Sequence, residues 1–183
     1  MAVNPHIKFT YEDYKNIAES ETKRYELLGG EFYMAPAPIP YHQYISKKLF
    51  HCLYEHTREH DLGEVYYSPI DVVLSSEDVV QPDILFIAKE RLGLIGEEAL
   101  HGAPDLMIEI LSPSTAERDR TLKKTLYARS GVKEFWIVDP IAKTVEVLVL
   151  TQQGYQLFKR FEINQTLRSP FLAGIEIPLN EIF

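Results

Sequence analysis

Pro104-Asp105-Leu106-Met107-Ile108-Glu109-Ile110-Leu111-Ser112-Pro113-Ser114-Thr115 decides the fold. Leu106, Met107, Ile108, Ile110 and Leu111 are branched or bulky apolar residues of the kind that suits a pleated surface, so Leu106 to Leu111 reads as a strand. The hydroxyl side chains and proline of Ser112 to Thr115 then predict a helix running through Ser130, with Gly131 as its stop. Glu109 lies inside the strand. A buried carboxylate is tolerated only if it is paired, protonated or neutralised by a bound cation.

The same problem recurs upstream, where Asp83 interrupts the apolar run from Val79 to Ile87 that reads as one strand. Val65 to Tyr67 and Ile70 to Leu74, separated at Pro69, precede it, and Arg91 to Gly102 bridges to Leu106. Further back, Ile45, Leu49, Cys52, Leu53 and His56 recur at helical spacing, predicting a long helix from Tyr41 to about His60 with Gly63 just beyond it. Thr10 and Asp13 open a short helix over Tyr11 to Ala18, and Gly29-Gly30 joins Arg24–Leu28 to Glu31–Ala35 as a hairpin that Pro36, Pro38 and Pro40 end. Downstream, Glu134 to Val138 is a strand closed by Asp139-Pro140. Thr144–Leu150 and Tyr155–Phe161 form a hairpin around Gln152-Gln153-Gly154. The order after the first hairpin is helix, three strands, helix, strand, which is a mixed α/β sheet.

With 183 residues, 45% hydrophobic and 25% charged, the chain fits one domain: helix and hairpin over 1–40, a core over 41–140, and a hairpin and tail over 141–183. No apolar stretch reaches the roughly 20 residues of a membrane span, and Met1 to Lys8 lacks a signal-peptide apolar region. The expected setting is cytoplasmic, without a membrane partner. Cys52 has no second cysteine to pair with and reads as a small core residue. A net charge of -8 argues against a protein that coats nucleic acid, although Arg118, Arg120, Lys123, Lys124 and Arg129 cluster in one segment. That cluster reads either as a phosphate-facing surface or as a solvated helix face.

Strand geometry selects which acids act together. Asp105 and Glu109, four residues apart on one strand, lie about 13 Å apart and cannot clasp one ion. Asp83 and Glu109 sit on different strands, which can run side by side at the separation a divalent cation needs. Two carboxylates leaving further positions to water and phosphate suit magnesium or manganese, which would activate water for attack on phosphorus. Lys123 could orient that water or neutralise the phosphate. Equally, it could be an exposed i,i+4 partner of Asp119, worth roughly 0.2–0.5 kcal/mol.

These residues resemble a known family. The quoted strand with Ser112-Pro113-Ser114-Thr115, then Asp119, Lys123 and Tyr127, then Gly131-Val132-Lys133-Glu134-Phe135-Trp136-Ile137-Val138-Asp139-Pro140, is similar to the Uma-type putative restriction endonuclease family of the PD-(D/E)xK nuclease superfamily. Tyr25-Glu26-Leu27-Leu28-Gly29-Gly30, His42, Gln81-Pro82-Asp83 and Leu172 to Phe183 extend the similarity over nearly the whole chain. The resemblance implies a restriction-endonuclease-like fold and an endonuclease hydrolysing DNA with magnesium or manganese. It implies Asp83 and Glu109 as metal-binding acids and Lys123 as the catalytic lysine. The usual lysine position, two residues after the second acid, is Leu111 here. Glu26 and His42 match positions that line such a site. Cutting both strands of a duplex also favours a homodimer.

Two other readings stand beside this one. The first is a dimeric binding or accessory module on a nuclease fold whose chemistry has lapsed, which Leu111 and the acidic charge favour. The second is a zinc peptidase, because His56-Thr57-Arg58-Glu59-His60 matches H-x-x-E-H, a short pattern easily met by chance.

Overall fold

The computed structural model describes residues 8–18 and 24–183. Helix α1 (Tyr11–Ala18) packs on the hairpin β1 (Arg24–Leu28) and β2 (Glu31–Ala35), and Pro40 occupies the first turn of the long helix α2 (Pro40–Glu59), where its missing N–H costs nothing. Strands β3 (Gly63–Tyr67), β4 (Val72–Ser75), β5 (Asp78–Val80), β6 (Ile84–Ala88), β7 (Leu100–His101) and β8 (Leu106–Ile110) follow. After β8 come α3 (Ala116–Arg118), a π-helical segment over Asp119–Lys123, and α4 (Lys124–Ser130). Strands β9 (Glu134–Asp139), β10 (Thr144–Thr151) and β11 (Gly154–Glu162) come next, and β12 (Thr166–Leu167) pairs with β13 (Ile177–Pro178).

The central sheet has the order β11-β10-β9-β8-β6-β3, with β8 and β9 parallel and its other pairs antiparallel. A second sheet runs β2-β1-β5-β4-β7. The mixed α/β core expected from the sequence is present, built on α2, β3, β6, β8, the α3–α4 segment and β9. Two expectations are corrected. Val79 to Ile87 is not one strand: β5 belongs to the second sheet and β6 to the central one. Gln81-Pro82-Asp83 lies between them, where Pro82 has no N–H to offer a ladder, and continuous burial across the run hid the change of sheet. Likewise β4, the core of the predicted Ile70–Leu74 strand, pairs with β5 and not with the central sheet.

Side chains alternate across the central sheet with period two. Ile84, Phe86, Leu106, Ile108, Trp136 and Val138 pack with Ile45, Leu49 and Leu53 of α2. Leu85, Ile87, Met107, Phe135 and Ile137 pack instead with Leu126 and Tyr127 of α4. By the same alternation Asp83 and Glu109 face the α4 side. Cys52 is half-buried against the α2-side core, and the fully buried Trp136 donates its indole N–H to Glu134 at 2.6 Å. Asp139 caps a tight turn by accepting the amides of Ile141 and Ala142.

Gly131 ends α4 with φ +88°, in the left-handed region, as the sequence predicts. A methyl group there meets nothing within 4 Å, so Gly131→Ala tests backbone strain alone. It is expected to cost about 1 kcal/mol in urea unfolding, without changing the unfolding slope.

Candidate active site

Extending the β6–β8 register, which pairs Ile84 with Ile108, by one residue sets Asp83 opposite Glu109. Directly opposed residues on one face have Cβ atoms about 5 Å apart. Asp83 Oδ2 accepts the Ile110 amide at 2.7 Å and lies 3.2 Å from His42 Nε2, which itself lies 2.9 Å from the Ile110 carbonyl. Glu109 Oε1 accepts Lys123 Nζ at 2.9 Å and the Tyr127 hydroxyl at 2.5 Å. The remaining oxygens, Asp83 Oδ1 and Glu109 Oε2, take no hydrogen bond from the described residues.

Lys123 is 3% exposed, which overturns its reading as a surface partner of Asp119. It does lie 3.6 Å from Asp119, but it also contacts Glu26 at 2.8 Å and Glu109 at 2.9 Å. Asp119 and Lys123 are the two buried residues of the π-helical segment, and such segments are frequent at functional sites. Glu26 reaches the cluster from β1, where its Oε1 accepts the Gln81 amide at 2.9 Å and its Oε2 lies 3.4 Å from Arg118. All four acids, with His42, Arg118 and Lys123, line one pocket of about 390 Å³.

The electrostatics follow from burial. Removal from water pushes the Glu109 carboxyl well above its ordinary range, with Asp119, Asp83 and Glu26 adding to the rise and Lys123 opposing it. Burial likewise raises Asp119 against the pull of Lys123. Burial would lower Lys123, but the carboxylates of Glu109, Glu26 and Asp119 outweigh it and hold the ammonium charged. At His42 burial is again outweighed, here by the hydrogen bond and charge of Asp83, and the net shift is upward. Four carboxylates face two permanent cations, Lys123 and Arg118. The deficit must be met by a proton or by a further cation.

This donor set fits a hard divalent ion. Two opposed carboxylates each keep one oxygen free toward the pocket, and Glu26 Oε2 and Asp119 Oδ1 are buried without a hydrogen-bond partner among the described residues. No group of three or more His, Cys, Asp or Glu among the described residues is set to hold a metal by itself, because Lys123 stands where the acids converge. An ion would therefore rest on Asp83 and Glu109 and take its other ligands from water and substrate.

The structure brings together Asp83, Glu109, Lys123, Glu26 and His42. It adds Asp119, read from the sequence only as a helical partner of Lys123 and a part of the family motif, Tyr127, visible only in that motif, and Arg118, seen only as one of a basic cluster. Asp105 stays apart, fully buried and fixed by Arg91 and Lys133 at 2.8 Å each and by the Ala88 amide. The basic segment divides: Arg118 turns to Glu26 and lines the pocket with Lys123, Arg120 turns to Asp139 and Glu146, and Arg129 pairs with Asp78 while staying exposed. Glu59 and His60 are exposed at the end of α2, and His60 Nδ1 is occupied by the His56 carbonyl at 2.9 Å, so no zinc ligand set forms there. Leu111, at the usual lysine position, lines the pocket and packs into the α4-side core, and Lys123 supplies the ammonium from the neighbouring helical segment.

Residues 11–180 match the Uma2 family, described as "Putative restriction endonuclease". The chain belongs to the Uma2 family. A solved structure titled as a putative nuclease belonging to DUF820, from Anabaena variabilis ATCC 29413, superposes with a TM-score of 0.78 at 20% identity. The alignment covers 96% of this Uma2 chain and 97% of that one, so the two share a fold. No curated protein matches the chain. The family's description is that of a nuclease, with nucleic acid as its substrate. No helix among the described residues is long and apolar enough to cross a membrane.

Proposed function

We propose that this Uma2 protein is a magnesium- or manganese-dependent endonuclease that hydrolyses phosphodiester bonds in DNA. The observation that carries the reading is the opposition of Asp83 and Glu109, each with a free oxygen, beside a buried ammonium at the base of an open pocket. Asp83 and Glu109 would hold the ion. Once bound, it supplies an acidified water and charge neutralisation at phosphorus.

The chain's own residues do the rest. His42 and the Ile110 amide fix Asp83 through one oxygen and leave the other directed to the pocket. Tyr127 and Lys123 do the same for Glu109. Lys123, anchored by Glu26 and Asp119, presents a fixed positive charge where negative charge grows on the phosphate oxygens. A second copy related by two-fold symmetry would supply the other cut in a duplex, and mass in solution reads that part of the proposal.

The test is nicking of supercoiled plasmid with magnesium, manganese or chelator, using wild type and identically purified Asp83→Ala protein. Nicking that needs metal and disappears in the variant supports the reading. Cutting indifferent to Asp83 points to a contaminant, and no cutting of any nucleic acid favours the lapsed module.

A further inference from the structure

The outer face of α2 carries chemistry that the site does not use. Tyr41, Tyr44 and Tyr54 are 38%, 41% and 40% exposed, and helical spacing spreads them with Lys47, Lys48 and Arg58 over about 140° of the side of α2 opposite its buried residues. The Tyr41 and Tyr44 rings stack, with centroids 6.4 Å apart and planes 13° from parallel. Lys47 and Lys48 each hold their ammonium 5.7 Å from the Tyr44 ring, and Arg58 lies 5.5 Å from that of Tyr54. The face is continuous with the pocket, because Tyr41 also lines the cavity that contains Asp83 and Glu109.

We propose that this face binds an unpaired nucleic-acid strand and leads it into the pocket, a step that rests on the nuclease reading and names the form of its substrate. Flat rings set beside cations match a chain in which bases and phosphates lie side by side. The charge balance selects a single strand over a duplex. From Tyr41 to Arg58 the face runs roughly 25 Å, along which a duplex presents a phosphate about every 1.7 Å but keeps its bases stacked inside. Three cations on a chain of net charge -8 supply little of the phosphate neutralisation that duplex binding needs. Arg118 and Lys123 are paired with buried acids at the pocket, so whatever charge they offer acts on the phosphate seated there and not on those along α2. Affinity must therefore come from stacking, which requires exposed bases. Glu55, the acid within the stripe, lies 3.4 Å from His51.

The experiment is fluorescence anisotropy in chelator, with fluorescein-labelled oligo-dT, a hairpin duplex and an abasic strand of equal length. Oligo-dT should bind at least about tenfold tighter than either alternative. Tyr44→Ala should weaken oligo-dT binding roughly 5- to 100-fold, the loss expected for one stacking platform, while circular dichroism stays unchanged. Lys47→Ala with Lys48→Ala should lower the salt slope by about 1.4. Duplex bound as tightly as oligo-dT, or unchanged affinity in folded Tyr44→Ala protein, overturns the proposal. Metal-dependent cutting is read separately, on the oligo-dT as well as on supercoiled plasmid: a protein that cuts either but shows no strand preference loses this face alone, and one that binds strands but cuts neither loses the nuclease reading.

Discussion

Replacing Glu109 with glutamine is expected to abolish metal-dependent nicking, by about a thousandfold or more, while making the metal-free protein more stable at alkaline pH. The first effect follows if the proposed ion loses one of its two proposed protein ligands: metal assistance contributes several kcal/mol, at about 1.36 kcal/mol per tenfold in rate. The second follows from the direction of the Glu109 shift. Its folded pKa lies above its unfolded value, so its contribution to stability is fully present below the ordinary carboxylate range and is lost as pH rises through the folded pKa. Glutamine can still accept from Lys123 and Tyr127 and has no proton to lose, so the decline should flatten. Urea unfolding of wild type and Glu109→Gln from acid to alkaline pH, in chelator, reads this directly. The curves should separate with rising pH, by about 1 kcal/mol or more at the alkaline end, on the scale of gains seen when strained functional groups are removed. Magnesium or manganese should close the gap from the wild-type side. A metal ion at the proposed site would compete with a proton for Glu109, so wild-type metal affinity should itself rise with pH, as calorimetric titration would show. Parallel curves in chelator would mean that Glu109 is not the group carrying the buried charge deficit.

The fold was legible where a single periodicity governed a whole element. α2 showed its apolar stripe, and β8, β9 and the terminal hairpin showed branched runs between turn residues. The split of Val79 to Ile87 was not legible, because both halves are buried and a continuous apolar run carries no mark of a change in sheet except Pro82. That break matters for the site: it frees Asp83 from the ladder so that its carboxylate can take the Ile110 amide. The two acids could be paired from strand geometry alone, since four residues along a strand separate Asp105 from Glu109 too far. The lysine could not. An i,i+4 acid–base pair on a helix reads as solvent-exposed by default, and nothing local announces that Asp119 and Lys123 are buried or that they lie in a π-helical segment. Nor could the basic segment be resolved, because the partners of Arg118, Arg120 and Arg129 come from β1, β9, β10 and β5, distant in sequence.

Lys123→Met should destabilise the protein by roughly 3–5 kcal/mol, the cost of leaving buried acids without their counter-ion, and should abolish nicking as well. Taken alone, that outcome cannot separate a chemical lysine from a structural one, since a site that has lost its charge balance will not hold its geometry. The neighbours provide the separation. Glu26 lies 2.8 Å from Lys123 and has no place among the proposed metal ligands, so Glu26→Gln removes one of the charges that Lys123 neutralises. The double variant should recover a large part of the lost stability, because residues in one buried network couple strongly and non-additively. If Lys123 acts on the phosphate, nicking stays lost in the refolded double variant. If it serves only as a counter-ion to Glu26, Glu109 and Asp119, nicking returns with the fold. The pH profile adds an independent reading: without the ammonium, Glu109 and Asp119 lose the interaction that opposes their upward shifts, so the single variant should lose stability more steeply than wild type as pH rises. A single variant as stable as wild type at every pH would contradict the buried ion cluster itself, and with it the argument that a proton or a metal ion must complete the site.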